Sequence, residues 1–103
     1  MARDRKDLSP IFKSILNNSN VYYQSPGPNS LKYPCIIYAL DKRDTDFASN
    51  SIYADRNRYT VTLITKGPDN DRLIDQIIRL PYCTHDRRFI SENLYHDVFD
   101  LFY

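Results

Sequence analysis

The stretch Leu94-Tyr-His-Asp-Val-Phe-Asp-Leu-Phe-Tyr103 predicts a β-strand over 93–103, because large apolar and aromatic residues recur through it. We expect its odd positions to face the core: Tyr95, Phe99, Leu101 and Tyr103, with Asp97 as the polar exception. Its even positions are Leu94, His96, Val98, Asp100 and Phe102. That face is too apolar to lie free in water, so we expect a helix or a neighbouring subunit to cover it, and we favour a neighbour for part.

The strand predicted at 82–89 pairs with this one across a turn at 90–92. Pairing Phe89 with Asn93 places His85 opposite Asp97 and leaves His85 and His96 on opposite faces. A slip of one residue would bring the histidines together near Cys83 and suggest a metal site. Zinc needs four ligands and no second cysteine pair is present, so we expect no bound metal.

Two segments predict amphipathic helices. In the first, apolar residues recur at helical spacing: Leu8, Ile11, Phe12, Ile15 and Leu16. Pro10 fits only the first turn of a helix, so Asp7 or Ser9 is the expected N-cap. The second helix follows the turn at 67–71 and ends before Pro81. Its predicted buried stripe is Leu73, Ile74, Ile77 and Ile78.

Further strands are predicted at 21–24, 33–40 and 58–66, the last with Tyr59, Val61 and Leu63 on one face. The segment 33–40 is apolar on both faces, which is typical of a central strand. The element order is therefore α-β-β-β-α-β-β. It indicates an α+β fold in which two helices pack on one face of a mostly antiparallel sheet.

The segment 41–57 is polar, and we interpret it as a long loop with a role in contacts, because loops of this length are uncommon in compact domains unless they are functional or disordered. Its charges and interleaved aromatic residues suit a protein interface. The predicted interface residues, on this segment and just after it, are Arg43, Asp44, Asp46, Phe47, Tyr53, Arg56 and Arg58.

Length and composition indicate one domain, 1–103, of ordinary globular character. The net charge of +1 argues against a dedicated nucleic-acid binder. Nine Arg against five Lys, with twelve Asp, favour paired charges at contacts. Two cysteines, Cys35 and Cys83, suggest buried free thiols. Without a long apolar run or a signal sequence, we expect a soluble protein made in the cytoplasm, with no membrane contact.

No residue pattern indicates catalysis. Two glycines in the whole chain exclude a Gly-rich phosphate loop and a nucleophile elbow. Asp41, Asp44 and Asp46 lack calcium-loop spacing, and the single glutamate, Glu92, falls in a turn. A cross-strand His–Asp pair on a surface is more often structural than an acid–base pair. We therefore predict that the protein is not an enzyme and binds no cofactor.

The sequence resembles small tail terminator, or tail-completion, proteins of long-tailed bacteriophages. The resemblance spans nearly the whole chain. It is carried by Lys32-Tyr-Pro-Cys-Ile-Ile-Tyr38, Arg58-Tyr-Thr-Val-Thr-Leu-Ile64 and the closing Asn93-Leu-Tyr-His-Asp-Val stretch, after the Leu-Ser-Pro-Ile-Phe helix and Val21-Tyr-Tyr.

The resemblance implies a structural virion protein located in the tail or neck. Such subunits are α+β proteins that assemble into a ring, as a hexamer, which caps the tail tube and joins it to the head–tail connector. The partners implied are other copies of the chain, the tail tube protein and the connector protein. Genome DNA would pass through the ring without sequence-specific contact.

Two alternatives remain open. Another phage neck component, such as a head-completion or connector adaptor, would be equally small and ring-forming. A small DNA- or protein-binding regulator is the second alternative, since scattered Arg and abundant Tyr could contact bases; the near-neutral charge counts against it.

Overall fold

The computed structural model describes residues 8–24, 32–48 and 51–102, with the backbone alone for 42–48 and 51–56. Seven elements follow along it: α1 (Leu8–Leu16), β1 (Val21–Tyr23), β2 (Cys35–Ala48), β3 (Ser51–Thr65), α2 (Asp71–Ile78), β4 (Cys83–Ser91) and β5 (Leu94–Phe102). The predicted α+β fold and element order are confirmed. The N-cap candidate Asp7 and the terminal Tyr103 lie outside the described residues.

The strands form one sheet in the order β1-β2-β3-β5-β4, with β3 at its centre. β3 pairs antiparallel with β2 on one side and with β5 on the other, and β4 pairs antiparallel with β5. β1 pairs parallel with β2. The described sheet is therefore mostly antiparallel, as the sequence predicted.

Both helices pack on one face of this sheet and close the core there. The core residues are Leu8, Phe12, Leu16, Ile36, Tyr38, Tyr59, Val61, Leu63, Ile77, Phe99 and Leu101. β3 supplies Tyr59, Val61 and Leu63, which share a face as predicted. Phe99 and Leu101 confirm that the odd face of β5 is its core face.

Tyr38 lies at the centre of an aromatic group beneath α1. Its ring centroid is 5.3 Å from that of Phe12, 5.2 Å from that of Tyr23 and 6.1 Å from that of Tyr59. Its hydroxyl shares a 2.6 Å hydrogen bond with Ser9 Oγ, so the buried phenol keeps a polar partner. Ser9 lies inside the first turn of α1 and is not its N-cap.

The prediction of a loop over 41–57 is wrong. β2 continues to Ala48 and β3 begins at Ser51, so the segment forms the outer half of a long β-hairpin. The error has a physical cause. Asp and Asn are depleted in strands, and the sequence of this segment lacks the apolar alternation that marks a strand.

Two smaller predictions also differ from the structure. Ile78, the last residue of α2, is 41% exposed, whereas Ile77 is fully buried and Leu73 and Ile74 pack against the core. The β4–β5 turn lies at Glu92 and Asn93 rather than at 90–92. Both have positive φ, 53° and 64°, as a two-residue hairpin turn requires.

The core makes a simple prediction about stability. Phe12→Ala removes a fully buried ring against Tyr38 and should lower the free energy of unfolding by about 3–5 kcal/mol in urea denaturation. Lys13→Ala, the exposed neighbour on the same helix, is the control and should change it by less than about 0.5 kcal/mol. Equal effects of the two substitutions would contradict this packing.

Candidate assembly surface

The most distinctive surface feature is a two-stranded ribbon that extends beyond the sheet. β1 reaches only Tyr38 of β2, and β5 reaches only Arg58 of β3. Beyond those points, residues 42–48 and 51–57 pair only with each other and, at Lys42, with Arg58 among the described residues. We call these two segments the arm.

The arm carries six of the seven predicted interface residues: Arg43, Asp44, Asp46, Phe47, Tyr53 and Arg56. Its register places Asp44 opposite Arg56 and Phe47 opposite Ile52. Tyr53 has no register partner, because the pairing shifts by one residue there. The predicted residues are thus brought onto one projecting ribbon, although the sequence suggested a loop.

Arg58, the seventh predicted residue, lies at the base of the arm and contacts its own chain. Its Nε is 3.4 Å from Asp41 Oδ2 on β2, and one terminal nitrogen is 3.4 Å from Asp100 Oδ1 on β5. Both contacts are ion pairs, although the buried Nε makes no hydrogen bond among the described groups. Arg58 therefore links three strands where the arm leaves the sheet.

A two-stranded ribbon is marginally stable by itself in water. Among the described residues, no further strand lies beside its outer edges, and such edges can accept another strand. The arm is anchored because its inner ends continue into β2 and β3 of the packed sheet, which bury Ile36, Tyr59 and Val61. A ribbon fixed at one end with free edges is suited to contact with another protein surface.

The sheet face opposite the helices is the second candidate surface. Phe89 stacks on His96 with ring centroids 4.6 Å apart and planes 9° apart, and the Arg87 guanidinium lies 5.9 Å from the Phe89 centroid. Val98 on the same face is 4% exposed, while Phe89 is 40% exposed. The even face of β5 therefore combines apolar and charged groups on the side away from α1 and α2.

A buried polar cluster centred on Asp97 joins β4, β5 and the start of α2. Asp97 is 1% exposed and accepts hydrogen bonds from Arg88 Nε (2.9 Å), Asn70 Nδ2 (3.0 Å) and, with the nitrogen protonated, His85 Nε2 (3.1 Å). Arg88 also donates to Asn70 Oδ1 at 2.7 Å. Asn70 is the N-cap of α2, and its side chain serves this cluster instead of capping the helix.

Electrostatics fix the ionisation of this cluster. Burial opposes the charged form of Asp97, but hydrogen bonds from Arg88, His85 and Asn70 outweigh it and hold the pKa of Asp97 below its ordinary value. The bond to Asp97 correspondingly raises the pKa of Arg88. Asp97 is a carboxylate at neutral pH, and the cluster acts as a structural link.

A bulge at Asp86 makes this cluster possible and corrects the predicted register. The pairs are Ser91 with Leu94 next to the turn and His85 with Phe99 beyond the bulge, instead of Phe89 with Asn93 and His85 with Asp97. The extra residue turns both His85 and Arg88 to the helix side. The predicted His85–Asp97 contact forms, whereas Arg88 and Asn70 were missed, because neither a bulge nor a long-range contact of α2 is visible in the sequence.

The residues considered for metal binding are not brought together. His85 faces the helix side and His96 the opposite side, as predicted. In the described part of the chain, no three His, Cys, Asp or Glu side chains lie close enough to hold an ion. Burial raises the pKa of Cys35 to about 11, and burial with the charge of Asp100 raises the pKa of Cys83 to about 11. Both are protonated at neutral pH and poor nucleophiles.

No protein-family model matches the sequence, and the curated proteins contain no match to it. Among the described residues, no helix is both long and apolar enough to cross a membrane.

The Asp97 cluster predicts a pH-dependent loss of stability. Because the pKa of Asp97 is lower in the folded protein, its contribution is complete above about pH 4, the value for an unfolded chain, and is lost as pH falls through the folded pKa. Asp97→Asn should destabilise by about 2–3 kcal/mol at pH 7, less than a fully buried pair, because Arg88 is one-third exposed.

Denaturation at several pH values checks this. The difference between wild type and Asp97→Asn should shrink below pH 4. Asp86→Asn, which removes an exposed carboxylate paired with Arg87, is the control and should cost under about 1 kcal/mol. A pH-independent difference for Asp97→Asn would show that its charge is not stabilising.

The thiols give a second prediction. Because the pKa of Cys83 is about 11, iodoacetamide should alkylate it roughly a hundred-fold more slowly at pH 8 than it alkylates the urea-unfolded chain. The rate should rise steeply above pH 10. Rapid alkylation of Cys83 in the folded protein at pH 8, measured by mass spectrometry, would contradict the raised pKa of this partly buried thiol.

Proposed function

We propose that this protein is a structural virion protein of a long-tailed bacteriophage, a tail terminator. Copies of the chain form a ring, a hexamer by family resemblance, that caps the tail tube and joins it to the head connector. The arm is the observation that carries the proposal, since a projecting ribbon with free edges is built for contact.

The resemblance and the arm support the proposal from different parts of the chain. The stretches that resemble tail terminators lie in β1, at the start of β2, in the inner half of β3 and in β5, which together form most of the sheet. The arm lies between them and carries Arg43, Asp44 and Arg56, charges suited to contacts with a neighbouring subunit or ring. The stretches that carry the resemblance and the proposed contact element, the arm, are thus separate parts of the chain.

The helix-free face supports an assembly role as well. Phe89 and His96 present a stacked aromatic pair there, beside the charged Arg87. Aromatic residues and Arg are the types enriched where proteins bind one another. In a ring this face would be turned toward a neighbouring component.

Another neck component, such as a head-completion or connector adaptor, is the second candidate. The same arm and the same helix-free face would serve it, because it is also a small ring-forming adaptor. Position in the particle separates the two: the terminator lies directly on the tail tube.

Shortening the arm tests the proposal. Replacing residues 43–57 by Asn-Gly, a good two-residue hairpin turn, joins the paired residues Lys42 and Arg58 directly, removes the outer ribbon and leaves the core intact. The variant should unfold at nearly the wild-type temperature, yet fail to assemble into rings or to cap tail tubes purified from a phage lacking this chain. Light scattering and electron microscopy of the mixtures provide the readout.

An exposed substitution on α2, Arg72→Ala, is the control and should leave capping unchanged. Wild-type protein that stays monomeric both alone and with tail tubes would overturn the proposed function. Capping by the arm-shortened variant at the wild-type level would show that the arm is not the contact element.

A further inference from the structure

The sheet leaves backbone groups unpaired at two edges in the described part of the chain. β4 forms one edge; eight of its nine residues are exposed, and it pairs with β5 alone. β2 forms the other edge beyond Tyr38, where β1 ends. Unpaired edges are places at which a strand of another chain can add to a sheet.

The hydrogen-bond pattern shows which residues of β4 point their backbone groups outward. In an antiparallel ladder, bonded and non-bonded pairs alternate. The amide of Phe102 donates to the carbonyl of Tyr82 at 3.1 Å, and the two-residue turn makes Ser91 and Leu94 a bonded pair. Alternating bonded and non-bonded pairs from each end of β4 up to the bulge leaves four residues whose backbone groups point away from β5: Cys83, His85, Arg88 and Ile90.

The same reasoning applies to β2. The carbonyl of Tyr38 accepts a hydrogen bond from the amide of Gln24 at 2.8 Å, so the backbone groups of Tyr38 point outward to β1. Alternation makes Leu40 the next outward residue. The register irregularity that follows Leu40 then adds one residue. The outward residues beyond β1 are therefore Leu40, Arg43 and Thr45.

The two edges share an unusual spacing. Outward residues are two apart along each, except for one step of three, from His85 to Arg88 on β4 and from Leu40 to Arg43 on β2. A regular strand can match either edge on only one side of that step. A strand with the same irregularity can match it on both sides, so each edge selects a partner like the other.

We propose that β4 of one subunit adds antiparallel to the β2 edge of a second copy of this chain. Aligning the steps of three places His85 opposite Arg43 and Arg88 opposite Leu40 of the second copy. The pairing ends at Arg88, because Ile90 would meet the position that β1 already occupies.

Charge favours this alignment. It places Arg87 opposite Asp41 and Asp86 opposite Lys42 of the second copy, two pairs of opposite sign. A parallel alignment of the same steps would place Asp86 opposite Asp41 and Arg87 opposite Lys42, two pairs of like sign. The Arg87, Asp86 and Asp41 side chains are 64%, 40% and 45% exposed, so they are accessible to another subunit.

A second β4 strand is the competing occupant. Its spacing also matches itself, but that contact is two-fold symmetric and stops at a dimer. The contact of β4 with β2 joins two different surfaces, which is the kind that closes into a ring. The inference therefore rests on the proposed function, and it names the subunit contact of that ring.

Exchanging the charges of Arg87 and Asp41 tests the proposed contact of β4 with β2. Arg87→Asp and Asp41→Arg each place like charges opposite one another and should raise the dissociation constant of the subunit contact by about ten-fold or more. The double variant restores opposite charges and should recover assembly. Asp75→Arg, the same charge change at an exposed position of α2, is the control and should assemble like wild type. Light scattering over a range of concentrations measures each.

A disulfide tests the register. Thr84 and Asp44 would lie opposite each other, at a non-bonded pair with Cα atoms about 4.5 Å apart, which suits a disulfide. Mixing Thr84→Cys protein with Asp44→Cys protein should give a cross-link between the two variants, and neither variant alone should cross-link through the new cysteine. Absence of a cross-link in assembled rings would overturn the register.

The outcomes separate this inference from the proposed function. Rings that form normally with Arg87→Asp and still cap tails would overturn the edge contact and leave the proposed function standing. A wild-type dimer that is insensitive to Asp41→Arg would identify the competing β4–β4 contact and overturn this one. Wild-type protein that neither self-associates nor binds tail tubes would overturn both.

Discussion

The antiparallel pairing of β2 with β3 is the interaction on which the rest of the structure depends. Over its inner half, this pairing is flanked by β1 and β5 and covered by the helices, which bury Ile36, Val61 and Leu63. Over its outer half, the same two strands continue with no further strand beside them in the described chain. One ladder thus serves as core and as projecting arm, and the stability of the core holds the arm in place.

The cluster around Asp97 has a related role at the other side of the sheet. A bulge at Asp86 turns His85 and Arg88 to the same face, and Asp97 binds both together with Asn70 at the start of α2. The cluster ties the edge strand β4 to the sheet and to the helix layer. The bulge also sets the irregular backbone spacing of the exposed edge, so a single extra residue shapes both the interior bonds and the outer surface.

Much of the fold could be predicted from the sequence because its core elements follow simple periodicities. The stripe of α1 and the alternation of Tyr59, Val61 and Leu63 identify faces that are buried in the structure. The arm could not be predicted, since its Asp-rich sequence lacks the apolar alternation of a strand and resembles the sequence of a loop. The interface residues were predicted from the charges of their segment, independently of its conformation, and whether they make contacts stays a prediction. Arg88 and Asn70 depend on a bulge and a distant helix end, which local patterns do not encode.

Hydrogen exchange on the arm, measured for the free protein and for the protein bound to tail tubes, tests the central claim most directly. Amides in outer strands without a packed core exchange quickly in the free protein. If the arm is the assembly element, peptides covering 42–48 and 51–57 should become strongly protected on binding, while the already protected peptide around Phe99 should change little. Unchanged exchange of the arm in the bound protein would contradict the account.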